Sequence, residues 1–413
     1  MKSVGILMLV ICLAFQVHSQ DCFLPIDVYD DKHLPVLIDN SQKELQLKLP
    51  LRGNIELSRG EKILLSCPNS GNSLELAHSV SADATCVNDE TITVLNQDQE
   101  YEGVLCSNSL RGTALTTEEI CGNGTGHIIK LGFPTENNQF LTLIRVCYDA
   151  KNGNALYSTH ILYGKEITYA AKASSRPSFS SAELAPGVAA NRVYKQATQK
   201  DIFSDLLGSA QLASKYINSK SYLTRGHLAP NADFLFTSWK FTTFFYVNTV
   251  PQWSADNSGN WNRVETIVKK AAALYQEDFR VFTGGYEVLT LPDINNVDKE
   301  IYLSNKLLAV PKYIWKILYS ESTGKAIAFI TLNNPFLTEL KSSDKLCPDI
   351  CNDYGWGNKG WKKGTNGYVY CCDARNLLKV IPTAPQIDVT GIISAPPSIF
   401  TFDALEILLT DNY

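Results

Sequence analysis

A chain of 413 residues, 45% apolar and 19% charged, is long enough for two or three domains that each bury a core, which excludes a fibre or a disordered chain. The net charge of −5 offers a polyanion no attraction from the bulk field. Residues 21–165 hold 11 Lys+Arg against 19 Asp+Glu and residues 166–413 hold 25 against 23, so a basic groove, if present, belongs to the later part.

Met1 to Gln20 has the pattern of a secretory signal: Lys2, then an apolar run from Val4 to Phe15, then a cut before Asp21. That run is shorter than the roughly 20 residues needed to span a bilayer, and no later segment is long enough, so a secreted, extracellular protein without a membrane partner is expected. Of the eleven cysteines Cys12 lies in the signal. The remaining ten fall as six (Cys22, Cys67, Cys86, Cys106, Cys121, Cys147) and four (Cys347, Cys351, Cys371, Cys372), even numbers that predict disulfides within two separate units. A zinc knot of the last four is the weaker alternative, because oxidation competes with thiolate ligation. Asn123-Gly124-Thr125 is a glycosylation sequon and predicts an exposed loop.

Residues 21–165 read as a β-rich N-terminal domain: Ile55–Leu57, Lys62–Leu65, Thr91–Val94 and Phe140–Val146 are short β-type runs broken by Gly, Asn and Asp. His78 and His127 stand isolated there. Residues 166–413 mix helical and strand periods. A helix is expected over Asp201–Asn218 with Asp201 as its cap, a strand over Phe241–Val250, a helix over Trp261–Tyr275, and strands at Arg280–Phe282, Tyr313–Tyr319 and Ala326–Leu332.

Chemistry concentrates between Thr224 and Glu265. His227 titrates near neutrality and is a natural general base, with Gly226 beside it allowing close backbone approach. Asn257 offers the amide oxygen that a hard, mostly hydrated Mg²⁺ accepts, and Glu265, two helical turns on, could order the metal's waters. Arg225, Arg176 and Lys269 are candidate phosphate contacts. Each residue alone has a plainer reading: a backbone-satisfied histidine, a helix cap at Asn257, a turn residue at Asn248, an ordinary i, i+4 pair of Glu265 with Lys269. Their conjunction points to phosphodiester hydrolysis.

Thr224-Arg225-Gly226-His227-Leu228-Ala229-Pro230, Asn248-x-x-Pro251-Gln252 and Asn257-x-Gly259-x-Trp261-x-Arg263-Val264-Glu265 resemble the DNA/RNA non-specific endonuclease family over roughly 165–413. With a signal peptide and a cysteine-bearing front domain, the chain is most similar to the secreted arthropod double-stranded ribonucleases and duplex-specific nucleases. The resemblance implies an α+β fold with a ββα-metal finger. It implies His227 as proton acceptor, Asn257 as ligand of Mg²⁺ (or Mn²⁺ in its place), Arg225 and Asn248 as supports, Glu265 on the metal's water, and Arg176 on phosphate. It implies 5′-phosphate ends and a nucleic acid substrate, double-stranded RNA with DNA beside it. Thr224 stands where the family usually has Asp, and Lys269 where it has an arginine. A DNA-preferring nuclease, a nucleic-acid-binding protein with a relic site, and an adhesion protein that uses only the front domain are the alternatives.

Overall fold

Apolar residues at every second position in the later strands sort onto the two faces of one sheet. In Pro311–Tyr319, Tyr313, Trp315 and Ile317 enter one core while Ile314 and Leu318 enter the other. Lys325–Leu332 does the same, with Ala326, Ala328, Ile330 and Leu332 on the first side and Ile327 and Phe329 on the second. The computed structural model describes residues 21–28, 31–172 and 175–401; the expected signal at Met1–Gln20 lies outside them.

The sheet has nine strands. From one edge to the other run Tyr368–Cys372, Lys325–Leu332, Pro311–Tyr319, Phe279–Val288, Asn154–Leu162, Phe140–Asp149, Gly126–Pro134 and Thr113–Cys121, all antiparallel, with the short Gly391–Ile392 added in parallel to Lys325–Leu332. The fold is therefore α+β, as expected. The expected division at 165 cuts this sheet: Asn154–Leu162 pairs with Phe279–Val288 from Tyr157↔Gly284 to Leu162↔Phe279. Strands 113–162 are half of the nine-stranded sheet, and the front unit ends near residue 110. Short β-type runs look alike on both sides of that point, because a strand's pattern reports its faces and not its partners.

The front unit is a six-stranded sheet within residues 36–100 plus a pair formed by Cys22–Pro25 and Asn54–Leu57. Cys22–Cys86 and Cys67–Cys106 close it; Cys121–Cys147, Cys347–Cys372 and Cys351–Cys371 staple the large sheet's ends. The ten cysteines of the described residues are all paired within the expected groups, which removes the zinc alternative. Loops of 20 to 64 residues are closed, each restricting the unfolded chain by about 2–4 kcal/mol. Asn123 sits exposed at the turn after Thr113–Cys121. Among the described residues no helix is long and apolar enough to cross a membrane.

Two expected elements come out differently. The Asp201–Asn218 helix is two, Gln196–Leu207 and Ala210–Tyr216, because Gly208 takes a left-handed φ of 71° and Ser209 then caps the second by accepting from the Leu212 amide. The expected Phe241–Val250 strand is a helix end and turns as far as Asn248, and only Thr249 and Val250 enter a strand. The hydroxyls of Thr242 and Thr243 donate to the carbonyls of Trp239 and Lys240, and every residue from Phe241 to Val250 is buried, so no alternation marks a strand.

Candidate active site

The site stands on a strand pair and a helix laid against the large sheet. The strand Leu223–His227 pairs antiparallel with Thr249–Trp253, from Leu223↔Trp253 to His227↔Thr249. A Cβ on Gly226 would lie 2.4 Å from Gln252 Oε1 and 2.8 Å from Gln252 Cβ, so only glycine lets the strands close here. The chain then turns into Ser254–Asp256, breaks helical geometry at Gly259 (φ −100°, ψ −117°), and continues as the site helix Asn262–Tyr275. This is the expected ββα arrangement, with the histidine on a strand and the asparagine at the helix entrance.

Two buried asparagines bolt the pair to the sheet. Asn248 accepts from Ser158 Oγ (2.9 Å) and the Ala229 amide (3.0 Å) and donates to the carbonyls of Ala229 (2.9 Å) and Thr243 (3.0 Å). Asn333 accepts from the Trp253 amide (2.9 Å) and donates to Pro251 O and Pro311 O. Asn248 thus spends its whole side chain on scaffold two residues beyond His227 and does not line the cavity. It positions the histidine strand rather than meeting a substrate.

His227, Arg225, Asn257, Glu265 and Arg176 line one cavity of about 660 Å³, joined by Thr224, Asn231 and Asn262. The His227 ring lies between Phe179 and Phe244, each 5.2 Å away between centroids. Its Nε2 is closed off from solvent with no hydrogen-bond partner. Burial, then the positive charges of Arg176 and Arg225, pull the His227 pKa down to about 3. The imidazole is therefore neutral, in its proton-accepting form.

Arg225 is held by aromatics. Its guanidinium sits 5.3, 5.1 and 5.5 Å from the ring centres of Phe179, Tyr194 and Tyr246. Its Nε donates to the Tyr246 hydroxyl (3.3 Å), which donates to Asn191 Oδ1 (2.6 Å). Stacked and pinned, it presents its guanidinium at the cavity wall. Across the cavity, Asn257 Nδ2 donates to Thr224 Oγ1 (3.1 Å), and that hydroxyl donates to the Gln252 carbonyl (2.9 Å). With the amide nitrogen engaged, the Asn257 carbonyl oxygen is the atom left for a ligand.

Lys269 does not reach the cavity as a phosphate contact would. It is fully buried under the site helix. Burial lowers its pKa, and the charges of Asp233 and Glu265 pull it back up. Lys316, equally buried, donates to Thr283 Oγ1 (2.7 Å) and feels the same two carboxylates. His160 Nε2 meets Asp233 Oδ2 at 2.9 Å. Burial opposes ionisation of Asp233, but the His160 hydrogen bond with the Lys316 and Lys269 charges holds its carboxylate below the ordinary range. A buried ionic layer thus supports Glu265 from below. Spacing showed Lys269 one turn from Glu265 but not how deep that face lies.

Three features escaped the sequence reading: the Thr224 anchor, the aromatic cage of Arg225, and Asn262. Only Asn262 left a trace, since it precedes Glu265 by three residues and shares its helical face.

A sequence model of the DNA/RNA non-specific endonuclease family matches residues 124–376. The chain belongs to that family. Among relatives of this nuclease, a salivary endonuclease of Lutzomyia longipalpis is 33% identical over 79% of this chain and 74% of its own. Salivary protein Tsal1 of Glossina morsitans morsitans is 26% identical over 91% and 94%. Human mitochondrial nuclease EXOG is 31% identical over 29% of this chain and 36% of its own. The matches place the nuclease in the arthropod branch, and the family match begins at residue 124, in the turn between the sheet strands Thr113–Cys121 and Gly126–Pro134.

Proposed function

We propose that this nuclease is a secreted, metal-dependent endonuclease of duplex nucleic acid, double-stranded RNA before DNA, that leaves 5′-phosphate ends. The observation that carries the reading is the cavity shared by His227 and Asn257, with Arg225 fixed between aromatic rings beside them. The preference for RNA rests on the resemblance to the arthropod ribonucleases, and secretion on the Met1–Gln20 pattern and the salivary relatives.

Among the described residues no three His, Cys, Asp or Glu gather as a metal site. The donors are one oriented amide oxygen, Asn257, and the Glu265 carboxylate in the same cavity. That set fits Mg²⁺, which keeps most of its waters and asks for few protein oxygens, and Mn²⁺ in its place. Bound there, the cation would neutralise charge on the phosphate in the transition state. The chain's own residues do the rest. With Nε2 closed off, Nδ1 is the His227 nitrogen that takes a proton from the attacking water. The water oxygen bonds to phosphorus, the bond to the 3′ oxygen breaks, and that oxygen takes a proton from solvent. Arg225 and Arg176 hold non-bridging phosphate oxygens.

His227→Ala should lower turnover by about two to four orders of magnitude with the fold intact, the range for losing a general base. A folded variant that still cleaves at the wild-type rate would remove His227 from the chemistry. Digestion of duplex RNA, duplex DNA and single strands side by side, with Mg²⁺ and with chelator, tests substrate and metal. Faster cleavage of duplex DNA reverses the preference, and activity in chelator excludes the cation.

A further inference from the structure

Two more cavities adjoin the active-site cavity, one on each side. The first, of about 690 Å³, shares Ser258 and Asn262 with it and lies between the site helix and the Gly357–Lys359 segment, on the Asn257 side. The second, of about 410 Å³, shares Pro177, Ser178, Phe179 and Phe244 with it, on the side where Phe179 and Phe244 flank His227. Arg111 to Ala114 form part of that second wall. Across the three linings stand six basic residues, Arg111, Arg176, Arg225, Arg263, Lys270 and Lys359, and one carboxylate, Glu265. In a chain of net charge −5 that asymmetry is local and directed.

Not all six are available to a ligand. Lys270 is buried and donates to the Thr401 carbonyl (2.6 Å). Arg263 is exposed and shares one nitrogen with Asn260 Oδ1 (3.2 Å). Arg111 and Lys359 are exposed, and among the described residues no carboxylate pairs with either. They stand at opposite ends of the row of cavities. Arg111 is held there by the front unit: its amide donates to Asn69 Oδ1 (3.3 Å) and its carbonyl accepts from Asn69 Nδ2 (2.7 Å).

We propose that the three cavities form one track for a polynucleotide strand, with Arg111 binding a phosphate on one side of the scissile bond and Lys359, beside Arg263, binding one on the other. The inference rests on the nuclease reading and adds to it a substrate track and a role for the front unit. That unit presents a cation to the strand next to the catalytic centre. A track with cationic sites on both sides of the centre accommodates chain in both directions, so cleavage falls at internal bonds. The active-site cavity alone would serve an isolated diester equally well.

The test compares full-length wild type with Arg111→Gln and with Lys359→Gln on two substrates. One is a long RNA duplex; the other is bis(p-nitrophenyl) phosphate, which occupies only the central cavity. Each variant should hydrolyse the small diester like the wild type. Each should show a severalfold higher KM for the duplex, and the slope of log(kcat/KM) against log[salt] should become shallower by about one. Unchanged duplex KM and salt slope in either variant would overturn the track, as would equal losses on both substrates, since the residue would then act through the centre. If the wild type hydrolyses neither substrate, the nuclease reading fails by itself. Fluorescence anisotropy of duplex binding then still reads the track, through a severalfold weaker Kd in each variant or its absence.

Discussion

His227 shows how far a residue's surroundings can move its chemistry. An ordinary imidazole titrates near 6.5, which predicts activity falling below that pH. Here burial and the Arg176 and Arg225 charges bring it to about 3. A lowered pKa keeps the base unprotonated, so kcat/KM, which reports the free enzyme, should stay level from pH 7 to about 5. Arg176→Gln removes one of the charges and should move the acid limb upward. An acid limb at the ordinary histidine pKa would show a ring in contact with solvent. The same sign governs stability: the unfolded chain takes the proton near 6.5 and the folded one does not until about 3. The contribution of His227 is complete above 6.5 and is lost as pH falls through that window. Thr224 gives a second prediction. Thr224→Val removes the hydroxyl that holds the Asn257 amide, so Mn²⁺ binding followed by calorimetry should weaken while Thr224→Ser preserves it. Equal affinity in both variants would mean that the Asn257 carbonyl needs no anchor. The chemistry of these residues was legible because base, amide and carboxylate types crowd into one motif. The shift was not, because burial and the approach of Arg176 are tertiary facts.

Elements show a related division. The site helix was legible from Trp261, Val264, Val268, Ala271 and Ala272, all buried on one face. The kink at its entrance was not, although it decides the site. Residues eight apart on an uninterrupted helix point about 80° away from each other. The break at Gly259 changes that relation, and Asn257 and Glu265 line one cavity. A Cβ at Gly259 would lie 2.7 Å from the Asn366 carbonyl oxygen, a backbone atom that cannot swing aside. Gly259→Ala should therefore cost about 1–3 kcal/mol, the usual range for overpacking, and lower kcat by shifting Asn257 against Glu265. Thermal melts and steady-state kinetics check both effects. A variant with wild-type Tm and kcat would show that the kink does not depend on glycine. The strand expected at Phe241–Val250 failed for a comparable reason: a wholly buried segment carries no period, so helix ends and turns cannot be read from its apolar residues.

At the scale of the whole molecule the sequence suggested a division at 165, where the acidic, cysteine-rich part ends, and the sheet contradicts it. Thr113–Cys121, Gly126–Pro134, Phe140–Asp149 and Asn154–Leu162 complete one side of the catalytic sheet. Ser158 and His160, both on the last of these, support Asn248 and Asp233 directly. A chain of residues 166–413 would leave the backbone of Phe279–Val288 unpaired along one edge, where it now bonds to Asn154–Leu162, and an open, apolar edge of that kind invites aggregation. It would also strip Ser158 from Asn248 and His160 from Asp233, leaving a buried carboxylate short of its neutral partner in the layer under Glu265. Leaving a buried group without its hydrogen-bond partner costs about 1–3 kcal/mol and more when the group is charged, a large fraction of a native stability of about 5–15 kcal/mol. Residues 166–413 expressed alone should therefore be insoluble, or soluble without a cooperative melt and without nuclease activity. The full-length protein carrying His160→Ala should be destabilised but still folded. A 166–413 fragment that melts cooperatively and cleaves duplex RNA would mean that the catalytic unit closes without half of its sheet, and would restore the boundary at 165.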